Sequence, residues 1–230
     1  MAKAKIHWNL PLQIGYFVYQ NAKLRMLQFY YDCILNYINA EDFQLCEMDT
    51  DSLYFVISDS SLENIVKIGK KAEFYNSFHN WFPSPACDEH HTDFVQTKCR
   101  GEIWEPRGPC CIQRLKDDKR TPGLFKLEYE GDGIVALCSK TYFCFTNNYN
   151  GEETNTKVAT KGLSKNLNHL TKQKYLQVLE SKTSGSGINR GFRSDGKTVF
   201  TYEQERASLS YLYIKRKVCD DGISTEPLDL

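Results

Sequence analysis

Cys46-Glu-Met-Asp-Thr-Asp-Ser-Leu-Tyr-Phe55 sets two carboxylates, Asp49 and Asp51, two residues apart between apolar runs. Phe43 to Met48 and Leu53 to Ser58 are strand-like, and the polar Asp49-Thr50-Asp51-Ser52 between them predicts a β-hairpin. In extended backbone, side chains at i and i+2 share a face, so both acids turn to one side and Thr50 to the other. Acids flanked by β-forming apolar sequence are costly to hold without a positive partner. Mg2+ suits them, because it takes one or two carboxylates together with substrate phosphates. A second ion would give the two-metal arrangement for in-line phosphoryl displacement. Other readings fit less well. An Asp-rich turn often caps its own backbone, and the tetrapeptide alone would mostly be that. An EF-hand loop needs an acid or Asn and then Gly where Leu53 and Tyr54 stand. In an aspartic-protease loop, Asp51 would occupy the glycine position.

Outward from the hairpin, the pattern alternates helix and strand. Upstream, Leu12 to Ile34 reads as a helix with Pro11 in its first turn and Asn9 as a nearby cap. Its apolar side is broad, which predicts packing on something large and sequence missing upstream. Downstream, a helix is expected over Ser61 to Phe78, with Ile65, Ile68, Ala72 and Tyr75 on one face. His79 to Thr121 carries Pro83, Pro85, Pro106 and Pro109 and reads as irregular. Leu124 to Glu130 and Gly133 to Thr146 read as a strand pair, and Asn147 to Thr156 as a loop. Lys157 to Lys182 looks helical, Ser184 to Gly196 is Gly/Ser-rich, and Val199 to Val218 returns to β-branched and aromatic residues.

The chain has 230 residues, 41% hydrophobic and 25% charged, which excludes disordered, collagen-like and simple repeat classes. No apolar run approaches the length of a membrane span. The first residues have no apolar h-region and no small-residue cleavage site, so an intracellular location, nucleus or cytoplasm, is expected. The nine cysteines then read as mostly reduced thiols. Net charge is zero, but Lys157 to Lys217 holds 13 Lys/Arg and 4 Asp/Glu, a net of +9. The remainder holds 16 and 25, a net of −9. A basic region beside an acidic one suits a protein that grips a polyanion with one part and holds metal cations with the other. Two solvated faces of opposite sign would give the same arithmetic.

The order of these segments resembles the C-terminal palm and thumb of family B DNA polymerases. The Asp-Thr-Asp-Ser segment resembles their motif C, with Cys46 or Glu47 where the family has an aromatic residue. Gly123-Leu-Phe-Lys-Leu-Glu128 followed by Ser139-Lys-Thr-Tyr142 resembles the Lys-x-Tyr landmark. Thr201-Tyr-Glu-Gln and Tyr213-Ile-Lys-Arg-Lys-Val-Cys-Asp-Asp-Gly-Ile-Ser-Thr-Glu-Pro-Leu228 resemble the end of the protein-primed branch, in particular the polymerases of Maverick/Polinton mobile elements and related viruses.

That resemblance implies an α+β fold: an antiparallel palm sheet with flanking helices, then a thumb mixing helix and strand. It assigns 1–156 to the palm, with a Cys/His/Pro-rich insertion at about 79–121, and 157–230 to the thumb. Asp49 and Asp51 would hold two Mg2+ ions for nucleotidyl transfer from deoxynucleoside triphosphates. Lys140 and Tyr142 would contact the primer end. Lys126, Lys161, Arg190, Arg193, Lys215, Arg216 and Lys217 would contact primer-template DNA, and a terminal priming protein is a further expected partner. Without the motif, Lys140 reads as a lysine on a strand with its head in water. The family's motif A acid and its motif B Lys and Tyr are not recognisable in the chain. It therefore reads as a C-terminal portion, inactive by itself, with a non-catalytic DNA-binding remnant as the alternative.

Cys87-x2-His90, followed by His91, Cys99, Cys110 and Cys111, forms a separate constellation. Cys87, His90, Cys99 and Cys110 are the set read as ligands of a structural Zn2+ ion. The second pair is Cys-Cys and not Cys-x-x-Cys, so an insertion loop with unligated thiols competes with zinc. A zinc-organised interaction module is the third functional class.

Overall fold

A computed structural model describes residues 10–211, 216–222 and 224–227. Its contacts divide the chain into two units, Met1–Glu128 and Tyr129–Leu230. Helices and antiparallel sheets occur in both, so the fold is α+β. The compositional step at 156/157 falls inside a strand.

In the first unit, α1 (Leu12–Gln28) runs into a π-helical turn at Phe29–Ile34 and a last turn, α2 (Leu35–Tyr37). Pro11 is the N-cap, and the expected cap Asn9 lies outside the described residues. The apolar breadth of the helix is used unevenly. Met26, Phe29, Cys33, Ile34 and Tyr37 are buried, whereas Leu12, Ile14, Phe17 and Val18 are exposed. Arg25 anchors the middle: Nε donates to Gly123 O at 2.7 Å, another nitrogen reaches Asn80 O, and the guanidinium lies 4.4 Å from the Trp81 ring centroid.

The expected hairpin follows, β1 (Phe43–Asp49) paired antiparallel with β2 (Ser52–Ile57). Phe43, Leu53, Phe55 and Ile57 pack against the core that Phe29, Ile34, Tyr37, Phe74 and Phe94 form. These side chains are partly buried, so each contributes less than the roughly 1.5–3 kcal/mol of a fully buried one, and together they hold the hairpin by its apolar side.

The helix expected over Ser61 to Phe78 starts later, as a 3₁₀ turn at Ile68–Lys70 and then α3 (Lys71–Trp81). Asp59 explains the delay. Its Oδ1 accepts from the Ser60 hydroxyl at 3.0 Å and from Asn64 Nδ2 at 2.7 Å, a local network that competes with helix formation.

The segment expected to be irregular contains two helices, α4 (His91–Cys99) and α5 (Pro109–Asp118). Pro109 is the first residue of α5, where its missing N–H costs nothing. A proline read as a breaker is here a helix start. Leu124 to Glu130 forms no strand either. Phe125 stacks on Phe29 with centroids 4.1 Å apart, and its N–H donates to Trp81 O at 2.7 Å.

In the second unit, β3 (Gly133–Cys138), β4 (Thr141–Asn147) and β5 (Glu153–Ala159) form one antiparallel sheet with β4 central. Gly133 to Thr146 is therefore a hairpin by itself, turning at Ser139-Lys140, and the end of the expected 147–156 loop belongs to β5. Within Lys157 to Lys182 the only α-helix is α6 (Lys172–Ser181). Its Tyr175 is fully buried among Val135, Phe143, Leu163, Val178 and Leu209, and donates its hydroxyl to Ala159 O at 2.7 Å.

The Gly/Ser-rich stretch is a strand, β6 (Gly185–Ser194), paired along its length with β7 (Val199–Leu209). Its glycines make room for neighbours. A Cβ on Gly191 would come within 2.8 Å of the Tyr202 ring, and one on Gly187 would collide with the Asn168 amide. Asn168 uses that space to accept from Ile188 N–H at 2.6 Å and donate to Ile188 O at 2.7 Å. A short pair, β8 (Arg216–Val218) with β9 (Thr225–Pro227), completes the description.

Candidate functional site

Asp49 is the last residue of β1, and Asp51 lies in the turn before β2. The register sets Asp49 opposite Ser52, so the acids occupy the hairpin end. Asp49 is half-buried and Asp51 exposed. Thr50 donates its hydroxyl to Asp49 Oδ1 at 3.3 Å, and Ser52 donates to Asp49 O at 3.4 Å. These contacts orient the acid and fold the turn. Among the described residues, Asp51 has no ion pair. A third acid, Glu47, lies two residues before Asp49 on β1, opposite Tyr54, and is only 6% exposed. The sequence reading treated Glu47 as a departure from a motif. Among the described residues, Glu47, Asp49 and Asp51 do not gather into a metal-binding group.

Lys140 and Tyr142 belong to the second unit. Lys140 is exposed at the β3–β4 turn with φ 64°, a left-handed conformation unusual for a side chain with a Cβ. It is a turn residue, not a strand lysine. Tyr142, half-buried on β4, pairs with Ala136 and Ala159.

Several cations assigned to DNA contact have acidic neighbours. Arg190 is bound to Glu203 on the adjacent strand, Lys217 lies 3.0 Å from Glu226, and Lys126 lies 3.9 Å from Glu128. Lys161 is exposed, and its carbonyl accepts from the Ser208 hydroxyl. Arg193 differs. Its guanidinium lies 4.1 Å from the Tyr202 ring centroid, it is opposite Phe200 in the register, and no acid pairs with it among the described residues. Arg193, Phe200 and Tyr202 thus share one face of the β6–β7 hairpin, and the sequence reading missed both aromatics. Arg216 is in β8, and Lys215 lies outside the described residues.

The Cys/His segment gathers a cluster, with one change to the expected set. Cys87, His90, Cys110 and Cys111 bring their ligand atoms within 4.8 Å of one another, so the cluster could hold a metal. Cys99 is not part of it. It is the exposed last residue of α4, and eight residues of helix at about 1.5 Å each carry it about 12 Å from the start of that helix. Cys111 takes its place, buried in the first turn of α5. The Pro109 start was the missed signal, because it sets both adjacent cysteines at a helix N-terminus.

Among the described residues, no helix is long and apolar enough to cross a membrane. No family model, curated protein or solved structure matches the chain.

Proposed function

We propose that the chain carries the motif C hairpin and thumb of a family B DNA polymerase and contributes to Mg2+-dependent nucleotidyl transfer onto a primer 3′ end. The observation that carries this reading is the hairpin end with Asp49 half-buried, Asp51 exposed, and no cation paired with Asp51 among the described residues.

The donor set fits a hard cation, since carboxylates and nearby hydroxyls are the oxygen ligands that Mg2+ takes. When bound, Mg2+ supplies charge stabilisation for the attacking and leaving oxygens of phosphoryl transfer. In this reading Asp49 and Asp51 hold the negative charge that fixes the cation. Thr50 sets the Asp49 carboxylate through its hydroxyl. Lys140 and Tyr142 contact the primer strand, and the basic Lys157 to Lys217 region grips duplex phosphates without reading bases. The thiolates of the Cys/His cluster are too soft for Mg2+ and suit Zn2+, so the two metals fall to different sites.

The test is primer extension on a labelled primer-template. The 230-residue chain alone should give none above background, because the motif A acid and motif B cation are needed to complete the charge cage, and each missing group costs about 10²–10³ in rate. Joined in one chain to a palm segment bearing those groups, it should extend the primer, and Asp51→Asn should abolish that activity. Mg2+-dependent extension by the 230-residue chain itself would show that other acids do the work. No extension by the joined protein, together with salt-dependent DNA binding, would replace this reading with a non-catalytic DNA-binding role.

A further inference from the structure

We infer that Cys87, His90, Cys110 and Cys111 form a closed, four-ligand zinc site that ties the start of α5 to the turn preceding α4. This inference does not rest on the polymerase reading, and either can fail without the other.

The decisive observation is where three sulfurs point. His90 Nδ1 lies 3.1 Å from Cys87 Sγ, 3.6 Å from Cys110 Sγ and 3.6 Å from Cys111 Sγ. One ring nitrogen has a single proton or a single lone pair, so it cannot serve three thiols. As a hydrogen-bond network the arrangement is poor. As the corners of a tetrahedron around one ion it makes better sense. Zn–S bonds of about 2.3 Å and Zn–N bonds of about 2.0–2.1 Å put sulfur and nitrogen about 3.6 Å apart, and two sulfurs about 3.8 Å apart. Cys111 Sγ and Cys87 Sγ are 3.8 Å apart. That spacing is also far too long for a disulfide, which needs about 2.0 Å.

The chemistry of the set selects the same ion. Three thiols and an imidazole make a soft donor group suited to tetrahedral zinc. All four positions are filled by protein, with none left for water or substrate, which is the pattern of a structural site. Three thiolates and a neutral histidine around Zn2+ leave one residual negative charge, and two of those thiolates lie in the first turn of α5, where the helix dipole favours it. Cys111 is fully buried, so an ion here is shielded from solvent on one side.

The consequence is structural. Residues 88–109 become a loop closed at its base by metal, which explains how a proline-rich segment keeps two short helices in place.

Zinc content of the 230-residue chain, expressed with zinc and purified without chelator, gives the first test. The protein should carry about one zinc per chain, and cobalt exchange should give the visible bands and thiolate charge-transfer absorption of tetrahedral cobalt. Cys110→Ser, at an exposed position, should lower zinc retention against a competing chelator by about tenfold or more and weaken the charge-transfer band. Cys99→Ser should change neither. Folded protein free of zinc, a cobalt spectrum indifferent to Cys110→Ser, or metal loss in Cys99→Ser would overturn the assignment. Should Cys110→Ser fail to fold, alkylation of the unsubstituted chain with iodoacetamide decides. Cys87 and Cys110 must be protected with zinc and modified after chelation, and equal labelling in both states overturns the site.

Discussion

Removing one oxygen from Tyr175 tests how the second unit is built. The ring is fully buried between α6 and the β3–β4–β5 sheet, and its hydroxyl donates to Ala159 O at 2.7 Å. Tyr175→Phe keeps the apolar packing and takes that donor from a part-buried carbonyl. The cost should be about 1–3 kcal/mol, whereas Tyr175→Ala, which also opens a cavity, should cost about 3–5 kcal/mol. The pH dependence provides a sharper check. Burial pushes the Tyr175 hydroxyl up to about 12, against about 10 in an unfolded chain. A group with a raised folded pKa contributes stability that is complete below the unfolded pKa and is lost as pH rises through the folded one. The native chain should therefore lose stability between about pH 10 and 12, and Tyr175→Phe should lose less. Cys33, also raised to about 12 by burial, is present in both proteins and cancels in the difference. Urea unfolding followed by circular dichroism from neutral to alkaline pH would measure it. The gap between the two proteins should narrow above about pH 10. A gap that stays constant, or a Phe variant as stable as the native chain at neutral pH, would refute the buried hydroxyl.

Two further outcomes follow from particular contacts. Arg193→Ala should weaken DNA binding about equally for all sequences and reduce the salt slope by about one, whereas Arg190→Ala, whose guanidinium already faces Glu203, should change it less; fluorescence anisotropy over a salt series reads both. Phe29→Ala should destabilise the first unit by about 3–5 kcal/mol, since Phe29 stacks on Phe125, meets Phe82 edge-on and lies tilted against Trp81, while Leu127→Ala at an exposed position should cost little; Trp fluorescence in a urea titration distinguishes them.

What could be read from the sequence depended on whether the local signal and the tertiary context agreed. At Phe43 to Ile57 they did: two β-rich runs and a polar tetrapeptide admit few alternatives, and the core accepts the apolar face those runs present. In the Cys/His segment they diverged. Pro106 and Pro109 read as loop formers, yet Pro109 fits the first helical position and starts α5. The same blind spot hid Cys111 as a ligand and promoted Cys99, because ligand sets follow where helices begin and end, not how many residues lie between cysteines. The Gly/Ser-rich stretch Ser184 to Gly196 gave no strand signal for a different reason. Glycine is a poor strand former when nothing fills the space above it, and here Tyr202, Asn168 and Leu163 fill it from other elements. No local window contains those neighbours.

The charge arithmetic is the case where a correct count carried the least structural information. A net of +9 over Lys157 to Lys217 is real, but it does not say which cations face a polyanion. Pairing across strands sets Glu203 against Arg190 and Glu226 against Lys217, and Lys172 lies 3.6 Å from Glu153 and 3.7 Å from the Phe145 ring centroid. Exposed pairs of this kind contribute about 0.2–1 kcal/mol each, so they add little to stability, but each acid screens the field its partner would offer a phosphate. Among the described residues no acid pairs with Arg193, which lies against Tyr202 with Phe200 opposite. An arginine beside aromatic faces can contact phosphate and base plane together. The β6–β7 face is therefore where the proposed nucleic-acid contact is best tested, a distinction that strand register reveals and composition does not.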